Sequence, residues 1–232
     1  MKAGLPSIAT VSSLALLLGG CALMRDIGII DEPPPPEEPV VVMVQQPEPD
    51  PDAEWQSFAA PADLDRLERL DEAWAEGLAA TQAAGFDRAV EEEGVLLEAD
   101  AGLERSDPTP GSYRCRLVKL GAAENGDPAF IAYQPFFCYV QIEGDIFTIV
   151  KQTGSQRPAG RLWEATGDRY IFLGSLALGN EREPLAYGDD PSRDMAGVWE
   201  RVGPFRWRLV IPYPRNGGIL DVFELLPTDP QP

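Results

Sequence analysis

Between residues 61 and 84 apolar side chains recur every three or four positions, at Leu64, Leu67, Leu70, Trp74 and Leu78. Arg66, Glu68, Arg69, Glu72 and Glu76 fill the other positions, so the stretch predicts an amphipathic helix with one core-facing stripe. Pro61 suits its first turn, Asp63 and Asp65 complement the positive N-terminal dipole, and Gly85 takes the left-handed stop. A second, shorter helix is predicted over 87–97, with Ala89, Val90 and Leu96 or Leu97 turned inward. Joined at Gly85, the two form a helical hairpin.

From Gly111 the period drops to two. Eight strands are predicted, over 113–120, 130–142, 147–152, 161–165, 169–178, 196–202, 206–211 and 219–226. Trp207, Leu209 and Ile211 alternate with Arg206, Arg208 and Val210, and Cys138, Val140 and Ile142 make a similar face. Glu143-Gly144-Asp145, Thr166-Gly167-Asp168, Gly203-Pro204 and Asn216-Gly217-Gly218 supply turns, and Pro135 predicts a bulge or bend in the second strand. The fold class is therefore α+β: an N-terminal helical hairpin packed on a mainly antiparallel, barrel-like sheet of about eight strands, closing one mouth or edge.

Upstream of the helices the pattern is not that of a folded domain. Lys2 precedes an apolar run over 8–18 that is too short to span a bilayer, ending in Leu18-Gly19-Gly20-Cys21. This resembles the bacterial lipoprotein signal, which implies cleavage of residues 1–20 and a diacylated (palmitate-bearing) Cys21. Ala22 in place of an aspartate resembles lipoproteins sent on to the outer membrane, so the expected location is the cell envelope, lipid-anchored and facing the periplasm. Residues 21–54 read as the lipidated cysteine and a tether, with Pro33-Pro34-Pro35-Pro36 and Pro47, Pro49 and Pro51 among acids. Polyproline geometry gives such a tether a reach of up to ~90 Å. The β-prone Val40-Val41-Val42-Met43-Val44 interrupts it, as a docking strand or a sticky stretch of linker. Residues 55–110 carry the helices and a linker, and 111–227 the β domain, one folded unit.

The net charge is −19. Its distribution matters more than its size: residues 1–110 hold 6 basic against 23 acidic residues, a net of −17, and 111–227 hold 13 against 14, a net of −1. The absence of a basic cluster argues against nucleic acid as a partner. The chain has no histidine, which removes Ser-His-Asp and Cys-His catalysis and His-ligated zinc. With Cys21 assigned to lipid, Cys115 and Cys138 remain as a pair, read as a disulfide of an oxidising compartment.

The most distinctive segment is 153–161. Gly154, Ser155, Arg157 and Arg161 offer hydroxyl, backbone and guanidinium donors and are the candidate site for an anionic ligand, against a rigid connection whose arginines serve the domain's own acids. Ser155 with Lys151 is a weak nucleophile–base pair. Glu200, Asp221 and Glu224 are the carboxylates available for glycoside chemistry, or simply a solvent face. The acids of 188–194, like Glu91-Glu92-Glu93, match no metal loop, and no catalytic residue, metal or cofactor is assigned. Trp163, Tyr170, Phe172, Trp199, Phe205 and Trp207 either line a barrel cavity or form plain core.

Short blocks in a fixed order carry a further resemblance: Tyr113-Arg114-Cys115-Arg116, Lys119-Leu120-Gly121, 153–160, Leu173-Gly174-Ser175-Leu176-Ala177-Leu178-Gly179, Arg193-Asp194-Met195-Ala196-Gly197-Val198, and Arg206-Trp207-Arg208-Leu209-Val210 with Leu220-Asp221-Val222. Over residues 59–227 the chain resembles an uncharacterised bacterial family, domain-of-unknown-function family 4893, of exported alphaproteobacterial proteins. The resemblance implies export and carries no activity or catalytic residue. The sequence leaves three readings: a ligand- or partner-binding envelope lipoprotein, preferred; a hydrolase of envelope glycan or peptide using carboxylates or Ser/Lys; and a structural or assembly lipoprotein. The partners expected are a membrane, through the lipid, and an anionic small ligand or an envelope protein.

Overall fold

A computed structural model describes residues 55–121, 126–166, 168–179, 181 and 183–228. The leader, Cys21, the tether and the 40–44 stretch lie outside the described residues. Three helices come first: α1 (Pro61–Glu68), α2 (Leu70–Ala83) and α3 (Asp87–Glu93), followed by a 3-10 turn at Gly94–Leu97. The single helix predicted over 61–84 is thus two, broken at Arg69, whose φ of −93° and ψ of 19° leave the helical region. The stripe survives the break. Leu70 and Trp74 are buried, and Leu64, Leu67 and Leu78 pack against the same cluster.

Nine strands follow: β1 (Gly111–Leu120), β2 (Phe130–Ala132), β3 (Phe136–Glu143), β4 (Ile146–Lys151), β5 (Gln156–Thr166), β6 (Arg169–Leu178), β7 (Asp194–Gly203), β8 (Arg206–Pro212) and β9 (Leu220–Pro227). All pairings are antiparallel between neighbours, and β9 returns to β1, closing a barrel of eight strands. β2 and β3 share one partner and act as one broken strand. Between the pairs Cys115–Phe136 and Val118–Ala132, Arg116 and Leu117 face Tyr133, Gln134 and Pro135. The extra residue is the bulge that Pro135 predicts, because proline cannot donate to the ladder.

Alternation along the strands sorts the apolar residues into two clusters. Tyr113, Cys115, Cys138, Val140, Ile149, Leu162, Tyr170, Phe172, Trp199, Trp207, Leu209, Ile211, Phe223 and Leu225 point inward. They fill the barrel, as side chains do in an eight-stranded closure. Trp199 stacks on Trp207 with ring centroids 6.4 Å apart, and Tyr113 meets Trp207 edge to face at 5.8 Å. The space left among Phe136, Cys138, Phe172, Leu209 and Phe223 is only about 10 Å³. The aromatics weighed for a cavity are therefore core, except Trp163, stacked on Phe58 outside, and Phe205, exposed at a turn. Gly160 and Gly174 face each other across β5 and β6; a Cβ on either meets backbone and the Phe172 ring within 2.8 Å. This close approach explains glycine inside two strands.

Val118, Leu120, Ile171, Leu173, Ala196, Val198, Val210, Leu220 and Val222 point outward, into the helices. The helices therefore cover a side wall of the barrel and do not plug a mouth. Gly77 lets α2 lie against β1 and β9, its would-be Cβ 3.3 Å from Leu120 Cβ. Charge fastens the lid. On the covered wall Glu200 opposes Arg208 on neighbouring strands, and Arg208 opposes Glu224, itself opposite Arg116. The fully buried Arg208 guanidinium donates to Glu200 Oε2 at 2.8 Å and to the Leu96, Glu98 and Ala99 carbonyls. Arg116 pairs with Glu93 of α3 and with Glu224. A second cluster holds α1: the buried Asp63 accepts from Arg66, Arg215 and Tyr187.

Cys115 and Cys138 form a disulfide with Cα atoms 6.0 Å apart. The register explains it: Cys138 opposes Tyr113 on β1, two residues from Cys115, so the two cysteines are inward-facing diagonal neighbours on adjacent strands.

Candidate functional site

The helices cover β7, β8, β9 and the C-terminal half of β1. The wall formed by β3, β4 and β5 lies half a turn around the barrel and faces solvent, except where Phe58 covers Trp163 near the end of β5. Its outward residues include Phe137 and Tyr139 on β3, Thr148 and Val150 on β4, and Arg157, Ala159 and Arg161 on β5. A cleft of about 230 Å³ opens there, lined by Val150, Lys151, Gln152, Arg157, Ala159, Ala177 and Pro184. That is below the 300–1,000 Å³ of a site enclosing a whole small molecule, and suits a single charged group with a short apolar stem.

Two cations flank this cleft from opposite faces of the wall: Arg157 stands on the outer face, and Lys151 lies at the barrel's end on the inward face it shares with Cys138 and Ile149. Arg157 is a strand residue and not part of a loop, as β5 begins at Gln156. Its Nη1 donates to Gly154 O at 2.9 Å and Gly179 O at 2.6 Å, and its Nη2 donates to Glu181 O. All three acceptors are carbonyls, which fix the fork in place; the Glu181 carboxylate, held mainly by Leu178 N and Arg193, also feels the Arg157 charge. Lys151, opposite Cys138, holds its Nζ 4.1 Å from the centre of the Phe136 ring. Burial, and then the charge of Arg157, lower the Lys151 pKa. Glycine at 154 (φ +96°) turns the chain beside Lys151, with its would-be Cβ 3.5 Å from Nζ. Ser155 O accepts from Gly179 N at 2.8 Å, so the β4–β5 turn and the end of β6 are tied together.

Of the four candidates from the sequence, Gly154, Ser155 and Arg157 come together at one edge of the cleft. Arg161 points outward four residues along β5, roughly 13 Å away, opposite Thr148 and Leu173. Neither Arg157 nor Arg161 is spent on a carboxylate among the described residues. The sequence reading weighed Lys151 only as a base for Ser155 and missed it as a cation lining the cleft; its position at the end of an alternating apolar strand was the available signal. No hydrogen bond joins Ser155 to Lys151 among the described residues.

The carboxylates weighed for glycoside chemistry do not converge on a cleft. Glu200 is buried with Arg208 and Arg169, and Glu224 is held by Arg116 and Arg206. Asp221 points into the barrel end, 2.6 Å from Lys119 Nζ, and burial raises its pKa to about 6. In the 188–194 loop, Asp190 accepts from Ser192 and pairs with Arg193, while Asp194 accepts from Gly188 N. Glu92 and Glu93 turn to different arginines, Arg88 and Arg116. No group of acids or cysteines suited to a metal ion occurs among the described residues, and none of their helices is long and apolar enough to cross a membrane.

Neither a curated protein nor a solved structure matches the chain. A family model does, over residues 55–225, the extent of the helices and the barrel together. The chain belongs to the family described as Domain of unknown function (DUF4893).

Proposed function

We propose that this protein is a lipid-anchored envelope lipoprotein, held through Cys21 in the outer membrane and facing the periplasm, whose barrel is a binding module working from its outer wall. The ligand is an anionic group taken at the rim formed by the turn at Gly154 and Ser155, with Arg157 on its outer side and Lys151 on its inner side. One observation carries the reading. In a chain with twice as many acids as bases, Arg66, Arg69, Arg116, Lys119, Arg169, Arg193, Arg206, Arg208 and Arg215 each hold a carboxylate. Among the described residues Lys151 and Arg157, like Arg114 and Arg161, form no ion pair, and these two lie close enough that Arg157 adds to burial in lowering the Lys151 pKa. Two like charges kept together in a cleft are most easily relieved by an anion.

The filled interior favours this wall over a lumen site, since a barrel carrier needs an internal chamber. Calorimetric titration of the full chain with acetate and with inorganic phosphate tests the reading. Binding should be lost in Lys151→Gln and largely kept in Arg157→Lys, which preserves the charge. Equal heats from wild type and Lys151→Gln would end it. The anchor is tested separately: Cys21→Ser should move the protein from the membrane to the soluble fraction, and continued sedimentation with membranes would count against it.

A further inference from the structure

We infer that the cleft is one end of a longer recognition row, and that the row takes an extended acidic segment of a partner polypeptide. The inference rests on the reading of the cleft as an anion site and adds a second anchor to it. On β1, Arg114 points outward opposite Phe137 of β3. The carbonyl of Phe137 accepts from Gln152 N at 2.9 Å. The β4–β5 ladder ends at the pair Val150–Ala159, and its register carried two residues further sets Gln152 opposite Arg157. Arg114, Phe137, Gln152 and Arg157 thus stand in one line across the strands. Three interstrand steps of ~4.8 Å put the two arginines ~14 Å apart.

Each member of the line suits the same occupant. Arg114 is exposed and makes no hydrogen bond or ion pair among the described residues. Phe137, between the arginines, is 51% exposed. An extended chain advances ~3.4 Å per residue and sends side chains i, i+2 and i+4 to one face, so carboxylates at i and i+4 are also ~14 Å apart. The complementary segment is therefore acid, any, apolar, any, acid, with its carboxylates on the two guanidinium forks and its apolar residue over Phe137. Arginine forks hold carboxylates with fixed geometry, whereas an anionic bilayer is a plane that meets this curved wall over a narrow strip and gains only ~1 kcal/mol per cation. The exposed acids Asp65, Glu68, Asp71, Glu72 and Glu76 lie on the helices, Glu143, Asp145 and Glu164 lie at the other end of the wall, and Glu181, beside Arg157, is paired with Arg193. An acidic partner is thereby steered to the bare wall.

Fluorescence anisotropy with the labelled, end-blocked peptide Glu-Ser-Leu-Ser-Glu tests this, using the full chain in detergent micelles. Wild type should bind it, and should bind Glu-Ser-Leu-Glu and Lys-Ser-Leu-Ser-Lys at least about tenfold more weakly. Arg114→Ala should weaken the first peptide about tenfold while leaving the melting temperature and acetate binding unchanged. If Arg114→Ala leaves peptide affinity unchanged, or if the spacing of the acids makes no difference, the row is refuted and the cleft reading stands. If acetate also fails to bind wild type, both fall. Arg114-dependent binding to phosphatidylglycerol vesicles without peptide binding would assign the row to a membrane and overturn the inference.

Discussion

Replacing Arg208 by Met tests how the helical lid is held on the barrel. The methionine keeps much of the aliphatic volume under Trp74, whose ring centre is 4.8 Å from the guanidinium carbon. It removes the hydrogen bonds to Glu200, Leu96 O, Glu98 O and Ala99 O. Breaking a buried pair by deleting one partner costs about 3–5 kcal/mol, because the other charge stays buried. Arg169, 3.0 Å from Glu200, offsets part of this. The Leu96 carbonyl loses a buried donor at about 1–3 kcal/mol, while the Glu98 and Ala99 carbonyls regain water as the segment loosens. The net expectation is a loss of about 4–6 kcal/mol, against a usual domain total of about 5–15. Urea unfolding followed by tryptophan fluorescence should show a midpoint shifted sharply down, and trypsin should cut faster after the exposed Arg105. Adding Glu200→Gln removes the orphaned charge, so the double variant should recover about 2 kcal/mol relative to additivity. A cost below about 1 kcal/mol, the level of an exposed ion pair, would refute the view that Arg208 fastens the lid.

Two further predictions concern the core. Removing the Cys115–Cys138 bridge, by reduction or a double Cys→Ala change, should cost about 3 kcal/mol for a closed loop of 23 residues, read as a lower urea midpoint; an unchanged midpoint would contradict the bridge's role. Asp221, with its pKa raised to about 6 by burial, binds its proton more tightly folded than unfolded. Its contribution is therefore fully present below about pH 4 and lost as pH rises through about 6. Two pH units correspond to about 3 kcal/mol, so wild type should lose roughly that much relative to Asp221→Asn between pH 4 and pH 7. Parallel pH profiles for the two proteins would refute it.

The barrel was legible because inward and outward residues alternate, and the helical stripe because Leu70 and Trp74 fall on one face whether or not Arg69 breaks the helix. The disulfide followed from an even pair of cysteines, and the bulge from Pro135. Three things were hidden. Residues 156–161 look like a loop because Pro158 and Gly160 are poor strand formers, yet Gly160 is there to let β5 and β6 close over Phe172. Barrel closure depends on β1 meeting β9, a contact between distant residues that no local pattern encodes. Arg208, Glu200 and Glu224 read as a solvent face because alternation says only that they point outward; the lid of 94–99 that buries Arg208 and Glu200 is invisible to a two-residue period. For the site, Arg157 was found from its neighbours, whereas Lys151 and Arg114 gained meaning only from the register that sets them beside Phe136 and Phe137.

The most direct test is an anion titration of the isotope-labelled full chain followed by amide and indole resonances. Acetate should shift the amides of Gln152, Gly154, Arg157, Ala159 and Ala177 around the cleft, with the indole signals of Trp199 and Trp207 inside the barrel unmoved. Shifts confined to the two indoles, or no shift around Lys151 and Arg157 at saturating acetate, would contradict a module that binds from its outer wall.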